Sequence, residues 1–451
     1  MIFLFISILG IALYIRDYKI PALFLFFFLL TAGFNLIPEK VNQLAFFSKG
    51  MDYAIIMLVG IVVIDTFCIK GYLKSNRLIY IYLLFCLFLT VSIIYNKFIL
   101  GVNWTEIIRT VRYNFLWVVY LVFRNLSQAQ LEKLLKYLFF ATVACSVLYL
   151  LQIALDINIL NEGGKSSVKL FGMKIPRFYN QPDMLHFFVF MAIYLNPYKG
   201  LAKYVTTSIL VIALLGAFHR SLIGSFLFVL ALGYILQLPR LKRVKILSVV
   251  FVASIFLVIF GGYMFVHSRT YIDIQRVASG NVADADIDIE DLQASTFTFR
   301  ILHLMERNQY LLDNPKAMFL GAGLMTEDSK MTFNLFNFDV GLLEELSGTT
   351  NQLDSGDISY SVLLLRYGYL GTILNLSLFI YLTVVFYKKR ENKFAFFSFL
   401  YFMLAISTSF FSGNFLEPIT FVLPLITYSI IAPMKEEKSP SEDSGIKLAL
   451  E

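Results

Sequence analysis

Arginine is the residue type in this chain whose placement first suggests chemistry. Arg220 follows His219 in "AFHRSLIGS", where the apolar run 220–237 begins. Arg109 and Arg112 lie in the first two turns of another run, 105–124, beside Glu106. Three residues apart on a helix, they would share a face. Arg177 precedes a run that begins at Asp183, and Arg366 lies in "DISYSVLLLRYGYLG". Arg300 opens "RILHLMERNQYLLDNP", with His303 and Arg307 at i+3 and i+7. A guanidinium stays charged at any relevant pH and meets phosphate oxygens through a planar bidentate fork. Several of them at one membrane face suit a lipid-linked diphosphate. In glycosyl transfer from such a donor the diphosphate is also the leaving group, so the same arginines would stabilise the charge that develops on it. A carboxylate would take the proton from an acceptor hydroxyl. Asp354 and Asp357 in "LDSGDISY" are the best-placed acids, and the base is one or the other.

Plainer roles stand beside these. An arginine near a helix end also snorkels toward lipid headgroups, which applies to Arg109, Arg112, Arg220 and Arg366. Glu106 would then only neutralise Arg109. "DSGD" before an apolar run is good helix-capping sequence, and capping is compatible with a site role. His186, inside an apolar run, reads as a satisfied core histidine. Glu417, beside Pro418, is a helix-start residue or a site member. His267 and His303 are too isolated for a metal site. "DADIDIEDLQAS" starts like a calcium loop but has Ile289 at the sixth position and Ser295 at the twelfth, where glycine and glutamate are needed. It reads as a solvated acidic stretch. No metal or other cofactor is expected. Cys68, Cys86 and Cys145 fall inside apolar runs as packing residues, with no metal or disulfide spacing.

The elements that must position these groups are membrane helices. The chain is 58% hydrophobic, 16% aromatic and 15% charged, with a mean hydropathy of +0.72, whereas soluble domains carry roughly 25% charged residues. Its apolar runs match a hydrocarbon core of about 30 Å. A β-barrel would instead alternate over strands of about ten residues. The expected fold is an all-α polytopic membrane protein of twelve or thirteen transmembrane helices. The runs lie near 1–15, 20–38, 51–68, 77–95, 105–124, 134–156, 183–196, 203–218, 220–237, 245–266, 371–387, 394–412 and 415–432. The first lacks a basic leader and a cleavage site and reads as a retained helix.

Dense basic clusters such as "IKGYLKSNR", "PRLKRVK" and "YKKRENK" mark one set of connections as cytoplasmic. Alternation puts 39–50, 96–104, 157–182, 267–356 and 413–414 outside. Two of these are too long to be simple connectors. Loop 157–182 holds four basic residues against Glu162, and loop 267–356 holds fourteen acids against six bases. In the second loop an amphipathic helix is expected up to Asn314-Pro315. Ile301, Leu304, Met305, Asn308, Leu311 and Leu312 fall near one face, and Arg300, His303 and Arg307 on the other. "FLGAGL" follows as a glycine-rich turn. From Asp357 to Tyr387 the chain is too long for one crossing, and Gly368 and Gly371 suggest a break between a short re-entrant helix, 357–367, and a crossing from 371. The organisation is therefore ten spans in 1–266, an outer loop 267–356, a re-entrant helix and the last spans in 357–432, and a polar cytoplasmic tail 433–451. No internal repeat of the kind found in many transporters is visible.

Taken in order, Arg220-Ser221, a long outer loop, Arg300, Pro315, Gly321-Ala322-Gly323, a polar loop and Gly368-Tyr369-Leu370-Gly371 resemble the O-antigen polymerase and O-antigen ligase superfamily. "IPRFYNQPDMLHFFVFMAIYL" is similar to a further segment of that group and places Arg177 and Pro182. The resemblance covers roughly 170–390. It implies a GT-C-like fold working without metal or nucleotide, at the outer face of the bacterial plasma (inner) membrane. It also implies an undecaprenyl-diphosphate-linked oligosaccharide as donor and acceptor. Arg220 and Arg300 would grip the diphosphate, with Arg177, Arg109, Arg112 and His303 as further substrate-binding candidates. Membrane lipids and a chain-length regulator protein are the implied partners, and nucleic acid is not. Ligases of the group typically place a histidine where this chain has Asp357 or nearby, and no histidine follows His303. That departure favours a repeat-unit polymerase making O-antigen, capsule or exopolysaccharide over a ligase. A lipid-oligosaccharide flippase is the rival from another class, and would carry charges along a central cavity.

Overall fold

Apolar runs bracketed by capping residues become helices here. A computed structural model describes residues 2–38, 49–69, 76–161, 164–170, 173–239, 296–327, 329–340, 351–353, 358–410 and 412–432. Asn76 Oδ1 accepts from Ile79 N and starts one helix, and Ser127 and Gln130 form a reciprocal capping box that starts another. Pro315 occupies the first turn of a short helix and Gly321 ends it.

In chain order the helices are α1 (Ile2–Ile15), α2 (Lys19–Leu30), α3 (Gly50–Cys68), α4 (Arg77–Phe98), α5 (Trp104–Val111), α6 (Val119–Phe123), α7 (Gln128–Leu155), α8 (Leu185–Leu195), α9 (Gly200–Leu215) and α10 (Arg220–Gln237). After these come α11 (Thr296–Asp313), α12 (Pro315–Leu320), α13 (Lys330–Leu335), α14 (Ser359–Lys388), α15 (Lys393–Thr408) and α16 (Ile419–Ile431). Each expected span within the described residues contains helix. Among the described residues, four helices, α3, α4, α7 and α14, are long and apolar enough to cross a membrane, and seven shorter ones are apolar. The outward side chains of α4, among them Leu83, Leu87, Val91, Ile94 and Phe98, are exposed hydrocarbon, as a lipid-facing surface requires. The span expected at 245–266, His267, the acidic stretch 284–295 and the tail 433–451 lie outside the described residues.

Three features depart from the all-α expectation. Residues 165–178, expected as loop, form an antiparallel hairpin of β1 (Lys165–Leu170) and β2 (Met173–Phe178), in register from Lys165↔Phe178 to Leu170↔Met173. The span 105–124 is not one α-helix, because Arg112–Val118 winds as a 3-10 segment between α5 and α6. Runs of that length are uncommon in this tighter geometry. The second span ends early, at Leu30, in a left-handed turn.

Aromatic packing fills the interior. Trp117 stacks on Phe421 at 4.2 Å and meets Phe379 edge-on at 5.4 Å, while Phe187 packs on Phe397 and Tyr401. Small residues permit close helix crossings, as where Gly60 meets Ile11.

The joint that matters most for the site is between α12 and α14. The expected break in α14 falls at Gly368, with φ 64° and ψ −173°. Gly321, which ends α12, has φ 84° and ψ 166°. Both conformations are open essentially to glycine alone. A Cβ on Gly321 would meet Arg366 O at 2.1 Å, and one on Gly368 would meet Met318 O at 2.6 Å and Gly321 N at 2.8 Å. The two backbones therefore touch. Leu365 O, which the break leaves without its helical donor, accepts from Ala322 N at 2.7 Å. A broken helix is tolerated in a membrane protein where neighbouring protein satisfies the freed groups in this way.

Gly321→Ala and Gly368→Ala are each expected to cost about 3 kcal/mol or more, combining the backbone penalty with overpacking. Gly101 has a positive φ of 75° but open space around its Cβ position, so Gly101→Ala should cost only about 1–2 kcal/mol. Thermal unfolding of the detergent-solubilised protein ranks the three. Equal losses at positions 101, 321 and 368 would remove the backbone contact from the account.

Candidate functional site

The expected outer connections meet at one end of the bundle. Thr31 terminates α2 by donating to Phe27 O at 2.8 Å and accepting from Phe34 N at 3.2 Å. Ala32, Gly33, Phe34 and Asn35 then all have positive φ, 47°, 73°, 56° and 63°. Asn35 is tied twice to Asp183: its Nδ2 donates to Asp183 Oδ1 at 2.8 Å, and its Oδ1 accepts from Asp183 N at 3.2 Å. Asn161 N donates to Asn35 O at 2.5 Å. Gly50, opening α3, lies so close that a Cβ would meet Leu29 O at 2.4 Å. At the end of α7, Gln152 Oε1 accepts from Ile159 N and Leu160 N, both at 2.9 Å, and Tyr149 OH donates to Phe178 O. These bonds fasten the hairpin and both flanking strands of chain to the bundle.

A polar cleft of about 400 Å³ opens in this end. Its wall includes the turn 31–35, the start of α3, residues 179–186, and the junction of α15 with α16. Lys49, Asp183 and Glu417 are its charged residues. Glu417, undecided between helix start and site member, is thus on the cleft wall. His186, expected as a satisfied core histidine, also lines the cleft, and its Nε2 is buried without a hydrogen-bond partner among the described residues.

Arg177, on β2, reaches the junction of α9 and α10. Its Nε donates to Ala217 O at 2.8 Å and its guanidinium stacks over Tyr179 at 4.6 Å. Gln181 Nε2 donates to Ala213 O at 3.1 Å in the last turn of α9. His219 takes the N-cap position of α10 and shares a 2.9 Å hydrogen bond with Ser221 Oγ. Arg220 is the first residue of α10, three positions after the carbonyl that Arg177 holds. Arg177 and the backbone of Arg220 are therefore brought together.

Arg300 and His303 come to the same end along α11. His303 Nδ1 and Ser361 Oγ share a 2.8 Å hydrogen bond. Ser359, on the same first turn of α14, donates through N and Oγ to Ser412 O at 3.2 and 2.8 Å. Asn414, two residues on, lines the cleft. Both faces of α11 have buried members: Leu311 on the apolar face, and His303 and Arg307 on the basic one. His303 and Arg307 are 2% and 0% exposed, whereas Met305 and Leu312 are exposed. The physical reason is that α14 and the loop offer these side chains polar partners. Burial, reinforced by the Arg307 charge, pushes the His303 pKa down to about 3. His303 is therefore a neutral, buried side chain and not a surface cation for phosphate.

Arg307 closes a latch that the sequence did not reveal. Its guanidinium pairs with Glu306, donates to the carbonyls of Val340, Asn351 and Gln352, and lies 4.2 Å from the Phe338 ring. Glu306 accepts from Asp339 N at 2.7 Å and Val340 N at 3.1 Å. Glu327 accepts from Gln352 N and Leu353 N, both at 2.7 Å. Burial lowers the Arg307 pKa to about 10, which leaves it charged at neutral pH. Asp354 and Asp357 lie outside the described residues, between the anchored Leu353 and the buried Ile358 that caps α14.

Arg109 and Arg112 part company. Arg112 starts the 3-10 segment, pairs with the buried Asp52 at 2.7 Å and donates to Tyr113 OH at 3.0 Å. Its charge is already matched, and it ties this segment to the start of α3. Arg109, half-buried on α5, forms no ion pair among the described residues, so the expected pair with Glu106 is not made. Among the described residues no group of three His, Cys, Asp or Glu could hold a metal ion. No protein-family model matches the chain, and no curated protein matches it.

Two outcomes follow. Arg307→Ala leaves Glu306 and three carbonyls without their partner and is expected to cost about 3–5 kcal/mol. Arg307→Lys should recover only part of this, since one ammonium does not span the same acceptors. Thermal unfolding reads both. The depressed His303 pKa means the unfolded chain binds a proton that the folded chain refuses between about pH 6.5 and pH 3. His303 therefore supports full stability above pH 6.5 and withdraws it on acidification. Glu306, whose pKa burial raises against the pull of Arg307, acts in the opposite sense near its own titration. Comparing melting at pH 7 and pH 4.5 isolates His303: the wild type should lose more on acidification than His303→Gln. An equal loss in both contradicts a buried neutral imidazole.

Proposed function

We propose that this chain is a glycosyltransferase of the GT-C kind. It polymerises lipid-diphosphate-linked oligosaccharide units at the outer face of a bacterial plasma membrane. One observation carries the reading: the segments bearing Arg177, Arg220 and Arg300 meet one end of a helical bundle, beside an open polar cleft. The motif order resembling the O-antigen polymerase and ligase superfamily agrees with it. Its glycine pair, Gly321 and Gly368, has a spatial rationale in the α12–α14 contact.

In this mechanism the arginines of that end hold the two phosphates of the donor lipid. A sugar hydroxyl of the acceptor unit attacks the donor's anomeric carbon. The new C–O bond forms as the bond to phosphate breaks, and the lipid diphosphate leaves with the electron pair. Guanidinium groups placed before the reaction stabilise that developing charge without reorganising. A carboxylate at Asp354 or Asp357 takes the hydroxyl proton. Joined to Glu327 through Leu353, the latch around Arg307 fixes the chain entering that segment. That the segments bearing Arg177, Arg220 and Arg300 meet at one end favours an enzyme over a flippase, which needs polar groups along a path through the membrane.

The test is the purified protein in lipid with synthetic undecaprenyl-diphosphate-linked oligosaccharide. A ladder of products is expected. Arg300→Ala and Arg220→Ala should each lower the rate roughly 100-fold, the scale of losing one preorganised charge contact at a transition state. Arg300→Lys should remain impaired, because lysine lacks the fork. In cells these variants should display single units at the surface; units trapped inside would mean a flippase. No ladder from the wild type sinks the proposal.

A further inference from the structure

The cleft has a feature that the arginines do not explain. Four successive left-handed residues, Ala32 to Asn35, are a rare backbone arrangement. Each non-glycine residue held there costs about 1–2 kcal/mol. Such strain persists only where surroundings over-determine it, and it concentrates at binding and catalytic sites. Here Asn161 N, the Asp183 clamp and the Gly50 contact supply that determination. The turn places Asn35 in the cleft wall, which Asn414 and Glu417 also line.

The chemistry of the wall is specific. The wall holds the amides of Asn35, Asn161 and Asn414, the carboxylates of Asp183 and Glu417, and the ring of Tyr179; Asn35 and Asp183 bond to each other and Asn414 donates to Thr408 Oγ1, which leaves Asn161 as the uncommitted amide among the described residues. Amides and carboxylates present paired donors and acceptors that match neighbouring hydroxyls, and a ring offers an apolar face to the C–H side of a sugar. Two carboxylates against Lys49 make the wall net negative, which disfavours phosphate. The volume of about 400 Å³ falls within the roughly 300–1,000 Å³ of small-molecule sites. The side-chain amide of Asn161 has no hydrogen-bond partner among the described residues, although its backbone is bonded on both sides. By contrast, the slot of about 250 Å³ between α4 and the 3-10 segment is walled by Leu78, Leu83, Trp117 and Leu121 and offers sugar hydroxyls little.

We propose that this cleft is the acceptor subsite, holding the terminal sugar of the incoming unit while the arginines hold the donor's diphosphate. The assignment as acceptor rests on the polymerase reading. Charge separates the two positions: the neutral polyhydroxylated part binds where carboxylates and amides dominate, and the anionic part binds where guanidinium groups do.

The experiment uses the full-length protein and a lipid-free oligosaccharide, the repeat unit cleaved from the surface polysaccharide of the cells that make this protein. Calorimetric titration should show saturable binding to the wild type. Asn161→Ala should weaken it at least tenfold without shifting the melting temperature, since that side chain holds no part of the fold. Arg300→Ala should bind the oligosaccharide like the wild type while losing the product ladder. Absence of wild-type binding, or unchanged binding by Asn161→Ala, overturns the subsite. Binding that depends on Asn161 in a wild-type protein that makes no ladder overturns the acceptor role and, separately, the polymerase reading.

Discussion

The approach of Gly321 to Gly368 is the constraint on which the functional end depends. Two chain segments 47 positions apart touch through backbone atoms, at places where both run in conformations reserved for glycine. The contact breaks α14 and satisfies the carbonyl that the break frees. It also fixes the angle at which α11 returns along α14, and so where Arg300 and His303 stand. A side chain at either glycine would drive these segments apart. The loop helices would then lose their seat, and the polar first turn of α14 its partners.

Cations in this chain divide by what meets them. Arg307 and Arg112 are met by protein: one by Glu306 and three carbonyls, the other by Asp52. Buried ion pairs of this kind add little net stability, but they are costly to break, so they specify one arrangement. Arg307 pins the stretch that leads to Asp354, and Arg112 pins the 3-10 segment to the start of α3. Arg177 also has a structural bond, through Nε to Ala217 O, yet its stacking on Tyr179 keeps it at the cleft end. Fold and site thus draw on the same residue type.

Much of the architecture is legible in the sequence because membrane helices need long apolar runs and caps, both local features. The break at Gly368 and the turn at Gly321 were equally visible, since glycine marks backbone that other residues avoid. Their mutual contact was not, because nothing local joins positions 321 and 368. The burial of His303 and Arg307 was hidden for the same reason: periodicity identifies faces, and only tertiary partners decide which side chains are buried. The left-handed turn left a signal in the glycine and asparagine of "TAGFN", residue types that tolerate positive φ. An apolar run continuing to residue 38 masked it. The hairpin was hidden because its strands are short and mixed in character. His186 shows the limit of a lone histidine, since the sequence does not say whether a cavity lies beside it.

The central claim is that the cleft end, with its arginines, faces outward. Single cysteines at Lys165 and Lys316 would represent that end, and at Lys199 and Lys393 the opposite one, in a protein whose Cys68, Cys86 and Cys145 are replaced by serine. All four lysines are exposed. A membrane-impermeant maleimide applied to intact spheroplasts should label positions 165 and 316 and spare 199 and 393 until the membrane is opened. Labelling of 199 and 393 in intact cells, with 165 and 316 protected, would place the arginines in the cytosol and contradict the account.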